Sequence, residues 1–186
     1  MLRPSYPVET ARLLLRPVVA GDLDALHAIQ SREDVTRWLY YGPRTREETE
    51  ERLAELSAAD GIRADGDHLV LAIQPRDMEE LVGTVVLMYR SAEHRQGEIG
   101  FVLHPRHHGR GYASEAAREM LRMGFEQLRL HRIVGRCEAR NTASARLLER
   151  LGMRREAHFR ENEFIKGEWQ DELVYAMLAE EWLARA

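Results

Sequence analysis

The chain has a single cysteine, Cys137, which excludes an intramolecular disulfide and a cysteine-built zinc cage. Long apolar runs are also missing. The opening stretch MLRPSYPVETARLLLRP holds only three consecutive leucines, too few for the core of a secretory signal. Nowhere does an unbroken apolar stretch approach the ~20 residues of a membrane-spanning helix. There is no basic excess: a formal net charge of −4 argues against non-specific nucleic-acid binding by the surface as a whole. Internal repeats, low-complexity tracts and long linkers are absent as well. These absences point to a cytoplasmic, soluble protein without a nucleic-acid or membrane partner. What remains is an ordinary globular composition, 44% hydrophobic and 31% charged over 186 residues, sufficient for a single domain spanning 1–186 with one sizeable core.

Against this mildly acidic background, residues 104–116, HPRHHGRGYASEA, form a local basic segment with no acidic side chain before Glu115. Its surroundings assign its place. Upstream, RLLLRPVV (12–19) reads as a first strand, followed by a helix through DLDALHAIQ, which Gly21 or Asp22 caps. VTRWLYYGPR reads as an aromatic-rich loop. Thr45 and Glu48 then form a capping box opening the helix TREETEERLAELSA. HLVLAIQ and LVGTVVLMY make a hairpin, and EIGFVL (98–103) is a further strand running directly into the basic segment.

Downstream, apolar residues from Gly111 to Leu128 recur at three- and four-residue steps, the pattern of an amphipathic helix with a wide buried face. RIVGRCEA is a strand. Asn141 caps the helix TASARLLERLG, which Gly152 ends. HFRENEFI and DELVYAML form a closing hairpin around KGEW. The strand–helix–strand unit over 98–138 requires one parallel pair inside a mixed sheet, so the fold class is α/β.

The basic segment is thus a strand-to-helix junction. A helix N-terminus offers unpaired N–H groups and the positive end of the macrodipole. Gly109 and Gly111 permit positive φ and let a ligand approach the backbone, which makes an anion cradle suited to a pyrophosphate. Arg106 and Arg110 add attraction. Three other readings compete: a structural glycine turn, a metal site at His104, His107 and His108, and a dinucleotide fingerprint. The last fails because Ser114 stands where the third glycine belongs, and no Walker lysine follows.

HPRHHGRGYASEA followed by GFEQLRLHRIVGRCEARNTASARLLERLGM resembles the GNAT acetyltransferase superfamily, specifically its RimJ/RimL-type branch, which acetylates protein α-amino groups, notably ribosomal ones. Its signature, Q/R-x-x-G-x-G/A, falls on His108, Gly111 and Ala113 with Gly109 inside, His108 replacing the usual Gln or Arg. A shifted register, Arg106-x-x-Gly109-x-Gly111, satisfies the pattern in full. ETARLLLRP, Asn141-x-x-Ser144 with LLERLGM, and GEWQDELVYAMLAEEW resemble further elements, so the likeness spans nearly the whole chain. It implies a mixed, mostly antiparallel central sheet flanked by helices, and acetyl-CoA as cofactor.

The same resemblance implies roles. The pyrophosphate would sit on the amides of His108, Gly109, Arg110, Gly111, Tyr112 and Ala113. The pantetheine arm would pair with the backbone of Phe101, Val102 and Leu103, with the Phe101 N–H facing the developing oxyanion. Asn141 is a helix cap, a cofactor contact or both, and Ser144 matches the position that donates to the departing thiolate. Glu163 matches the base position, its plain alternative being an exposed strand carboxylate, and Glu98 is the reserve base. An α-amine, with pKa near 7.7–8.0, needs less help from a base than a lysine near 10.4. The expected acceptor is a protein N-terminus; a small-molecule amine such as a polyamine, aminoglycoside or amino acid is the alternative, and a non-catalytic acyl-CoA-binding module is the rival outside catalysis. Trp38, Leu39, Tyr40 and Tyr41 fall where the family lines its substrate side. Acidic residues at the acceptor end would favour a cationic small molecule, and an open groove a peptide. Relatives in this superfamily often form homodimers, which is the expected assembly, with LAEEWLARA packing on a partner or on the chain's own core.

Overall fold

In LLLR, Leu13 and Leu15 are fully buried while Leu14 and Arg16 are partly exposed, the period-two burial of a strand with one face on a core. A computed structural model describes residues 1–185. Strand β2 (Leu13–Arg16) is shorter than the 12–19 run suggests, because Pro17 has no N–H to extend the ladder. A two-residue strand, β1 (Val8–Glu9), pairs with it and is not announced by any pattern.

Helix α1 (Leu23–Gln30) follows at the expected place. The Asp22 carboxylate does not cap it. It accepts instead from the Val19 N–H at 2.8 Å and pairs with Arg16 at 2.7 Å. The segment expected to be all loop begins with one helical turn, α2 (Glu33–Thr36). Helix α3 (Arg46–Ala58) opens on the capping box: Thr45 Oγ1 accepts from Glu48 N at 3.2 Å, and Glu48 Oε2 accepts from Thr45 N at 2.9 Å.

Strands β3 (His68–Pro75), β4 (Gly83–Ser91) and β5 (Gln96–Leu103) form an antiparallel meander. Helix α4 (Tyr112–Arg122) runs on through a π-helical stretch at Met123–Gln127, so the apolar stripe is continuous although the α-helix ends earlier than Leu128. Strand β6 (Arg132–Glu138), helix α5 (Thr142–Leu151), the hairpin β7 (Arg154–Ile165) and β8 (Glu168–Leu178), and helix α6 (Ala179–Leu183) complete the chain. Gly152 ends α5 at φ 88°, as a left-handed cap.

The eight strands form one sheet in the order β1-β2-β3-β4-β5-β6-β8-β7. All neighbours are antiparallel except β5 and β6. Helices α4 and α5 bury Ala116, Met120, Leu121, Leu148 and Leu151 against one face. Helices α1 and α3 cover the other face over β3 and β4 through Leu26, Ile29, Leu53 and Leu56. Beyond β5 that second face carries ion pairs instead of a helix, joining Arg132 to Glu156 and Arg136 to Glu98 and Glu172. Near the C-terminus, Trp182 stacks on Phe125 and donates to Glu126, so this end packs on its own chain. No helix among the described residues is long and apolar enough to cross a membrane.

Candidate active site

The parallel pairing of β5 with β6 runs from Gln96↔Arg132 to Ile99↔Gly135 and stops. Beyond that point the two strands part, leaving Gly100–Leu103 unpaired on the β6 side. The direction of each backbone group follows from alternation. His104 N bonds Val82 O on the β4 side, and His131 N, at the start of the β6 side, bonds Arg95 O. Even-numbered residues of β5 therefore serve β4, while Phe101 and Leu103 direct N–H and C=O into the gap. Val102, grouped with them from sequence, turns its backbone toward Thr84 and offers the site only its side chain.

The gap opens into a cleft of about 650 Å³ lined by Phe101, Val102, Leu103, the 107–114 loop, Asn141 and Ser144. Gly109 and Gly111 adopt φ 75° and 82°, conformations that side-chain-bearing residues rarely take. None of the backbone N–H groups of residues 109–114 donates to another protein group among the described residues. That is a row of unsatisfied donors at the start of α4, the arrangement that binds an anion. His107 Nδ1 is buried without a partner on the same wall. His107 is held below the ordinary histidine range by burial and by Arg110, Arg106 and His108, so it presents a neutral ring. Sequence reading treated His107 only as a candidate metal ligand.

His108, at the position that departs from the family signature, directs Nε2 to the Leu103 carbonyl at 3.2 Å. A carbonyl only accepts, so Nε2 carries the proton. The ring ties the loop back to the end of β5. His104 Nδ1 instead accepts from Arg106 N, the His104 and His107 rings meet edge to face at 6.1 Å, and the three histidines do not form a metal-binding group among the described residues. The Arg110 side chain is exposed and off the cleft wall, whereas its carbonyl anchors the loop. Arg12 Nη1 donates to that carbonyl at 2.8 Å, pairs with Glu115 at 2.7 Å and lies over the Tyr112 ring at 5.3 Å. Burial alone would raise the Glu115 carboxyl; hydrogen bonds from Thr10 and Arg12 and the Arg12 charge hold it below the usual carboxylate range. Arg12 is a positioning residue that the sequence did not reveal, because its partners lie about a hundred positions away.

Asn141 Oδ1 accepts from Ser144 N at 3.1 Å, so it caps α5 while lining the cleft. Ser144 lines the same wall. Trp38 and Leu39 close the cleft from the α2 side. Tyr41 lies under Arg44 at 3.7 Å, away from the chemistry.

Tyr40 faces a group of carboxylates. Tyr40 is 69% exposed as a residue, yet its hydroxyl is pushed up to about 12 by burial, by a hydrogen-bonding interaction with Glu163, and by the charges of Glu163, Glu172 and Glu98. Glu98 is tied to Arg90 at 3.0 Å and Arg136 at 3.6 Å. Glu172 is buried, pairs with Arg136 at 3.1 Å and accepts from Asn162 at 3.3 Å. Burial raises its carboxyl, Arg136 lowers it, and Glu163 and Glu98 add to the rise, which prevails. Glu163 has no cationic partner within ion-pair distance among the described residues. Sequence reading missed Glu172, although alternation in DELVYAML places it on the strand face with Val174 and Ala176. The cleft continues past Trp38 as an open trough of about 780 Å³ bounded by Thr36, Arg140, Lys166, Glu168 and Gln170.

A split parallel pair, a glycine-loop anion cradle and a capped second helix around one cleft define an acyltransferase of the coenzyme A-dependent kind. Residues 12–154 match the family described as Acetyltransferase (GNAT) domain, and the chain belongs to that family. The chain is 35% identical over 175 residues to YnaD of Bacillus subtilis, an uncharacterised N-acetyltransferase, covering 94% of this chain and 98% of the relative. It is 27% identical over 176 residues to the spermidine N(1)-acetyltransferase of Vibrio cholerae, covering 95% and 98%. The crystal structure of a GNAT-family acetyltransferase from Bacillus anthracis superposes with a TM-score of 0.83 at 35% identity, covering 93% of this chain and 98% of that one. The chain is an N-acetyltransferase, and acetyl-CoA is its acetyl donor. The unpartnered amides of 109–114, the open edge at Phe101 and Leu103 and the orphaned His107 Nδ1 fit that donor.

Proposed function

We propose that this enzyme transfers the acetyl group to a primary amine of a small, multiply charged cationic molecule, by direct attack of the amine on the thioester. The observation that carries this reading is the carboxylate group on the sheet face, where Glu98 and Glu172 share Arg136, Glu98 also pairs with Arg90, and Glu163 has no cationic partner among the described residues. The polyamine-acetylating relative supports it. A cationic amine brings its own countercharge to such a place, whereas a neutral one gains nothing there.

In this reading, Glu163 takes the proton from the attacking amine, since Glu98 and Glu172 are committed to Arg136. The Phe101 N–H is aimed into the gap, where charge develops on the acyl oxygen. Ser144 donates toward the leaving sulfur. Cys137 is not a covalent relay: burial, then Glu138, Glu172 and Glu149, push its thiol up to about 11, leaving almost no thiolate at neutral pH. That supports transfer in a single step.

The α-amine of a peptide or protein N-terminus, the acceptor of the RimJ/RimL-type branch, is the second reading. It is favoured by the open trough past Trp38, which has room for an extended chain. The test is thiol release from acetyl-CoA with a panel of polyamines, amino acids, aminoglycosides and N-terminal peptides. The proposal expects turnover to rank with the number of positive charges on small amines. Preference for uncharged peptide N-termini would transfer the assignment to the second reading, and tight coenzyme A binding with no turnover would leave a binding module.

A further inference from the structure

Among 27 lysine and arginine residues the chain has one lysine, Lys166. It sits at the β7–β8 turn with φ 50°, followed by Gly167 at φ 86°. Its ammonium group has no carboxylate within ion-pair distance among the described residues. It donates to two backbone carbonyls instead, Thr36 O at 2.7 Å and Tyr41 O at 3.5 Å. Those carbonyls bracket Trp38, Leu39 and Tyr40, the segment that walls the donor cleft and faces the carboxylates. Lys166 therefore clips the hairpin tip to the acceptor-side wall. It also borders the trough that shares Asp34, Trp38 and Arg140 with the donor cleft.

We infer that Lys166 is a self-acetylation site, modified from the acetyl-CoA held in the neighbouring cleft, and that the modification loosens the acceptor side. An arginine here would serve as a clip and stay charged; a lysine can lose its proton and become a nucleophile. Burial holds Lys166 below its ordinary range, with Glu168 opposing, which enlarges the neutral fraction. In the step itself the ammonium first yields one proton to solvent. The Nζ lone pair then forms an N–C bond to the acetyl carbon, the C–S bond breaks, and the second amine proton leaves with the coenzyme A thiol. The resulting amide keeps a single N–H for two carbonyls and has no charge. The Thr36 carbonyl would keep its bond from the Leu39 N–H at 2.9 Å but lose its only contact to the β7–β8 turn among the described residues, so the clip between the two segments weakens by about one net hydrogen bond. The enzyme would then restrain itself when acetyl-CoA is plentiful and acceptor scarce.

This inference rests on the reading of the cleft as the acetyl-CoA site, and the test keeps the two apart. Intact-mass and peptide mapping would follow the protein incubated with acetyl-CoA and no acceptor, with and without excess coenzyme A, beside Lys166→Arg. The expected result is one acetyl group on the Lys166 peptide, suppressed by coenzyme A and missing in the variant. The modified enzyme should show an acceptor KM raised about fivefold over the same preparation before incubation, equivalent to one net hydrogen bond, and the KM of Lys166→Arg should not change on incubation with acetyl-CoA. No acetyl on Lys166 in a preparation that turns over the amine panel overturns the inference alone. Acetylation indifferent to excess coenzyme A also overturns it, by showing adventitious chemistry. Failure of both labelling and turnover overturns the donor-site reading itself.

Discussion

Arg12→Met removes a side chain that holds the glycine loop from outside while preserving its apolar length. Three contacts disappear: the hydrogen bond to the Arg110 carbonyl, the pair with Glu115 and the approach to Tyr112. The Arg12 side chain is 52% exposed, so its ion pair contributes only about 0.5 kcal/mol. The hydrogen bond to the loop carbonyl contributes about 1 kcal/mol. Glu115 is not orphaned, because Thr10 Oγ1 and the Arg12 N–H still reach it. The expected stability loss is about 1.5 kcal/mol, or about 3–6 °C in Tm for a chain of this size. The loop term also carries preorganisation, so KM for acetyl-CoA should rise about fivefold with kcat at saturation little changed. Glu115 adds a pH signature. A carboxyl held low in the folded state contributes stability above its ordinary value of about 4.3 and loses it as pH falls through the folded value. The gap between wild type and variant should therefore narrow below about pH 4. Thermal melts from pH 3 to 8 and steady-state thiol release measure all of this. A variant with the predicted Tm loss and unchanged KM would refute the claim that Arg12 positions the loop.

Asn141→Ala should cost about 1 kcal/mol through loss of the α5 cap, visible as a lowered Tm. Asn141→Ser restores a capping oxygen and should recover the stability; a donor KM that recovers with it identifies the cap as the residue's contribution to binding. Ser144→Ala should lower kcat by less than about tenfold, because a thiol with pKa near 8.5 leaves with little proton assistance. A thousandfold loss on stopped-turnover measurement would make Ser144 far more than a donor to the thiolate.

The layout of the sheet was legible wherever a pattern is local. Short apolar runs bounded by turn residues marked β3 to β6, the Thr45–Glu48 box marked α3, and the strand–helix–strand unit over 98–138 required the parallel pair that the structure contains. Pro17 explains why the first long strand stops well short of the 12–19 run. What stayed hidden depends on partners distant in the chain. The two-residue β1 exists only through β2, Arg12 acts through residues 110 and 115, and Lys166 through residues 36 and 41. Glu172 was within reach of alternation, but its neighbours Glu98 and Glu163 come from two other strands. The difference between Phe101 and Val102 was also invisible, because the direction of a backbone group is decided by which neighbour its strand already serves. The family resemblance placed the glycine loop, while the acceptor end rests on side chains gathered only by the fold.

The most direct measurement of the central claim is kcat/KM for a polyamine acceptor from pH 6 to 9, in wild type and Glu163→Gln. If Glu163 takes the amine proton, the variant falls at least about tenfold at neutral pH, and the deficit shrinks toward pH 9 as the amine deprotonates unaided. Identical profiles for the two proteins would contradict the account.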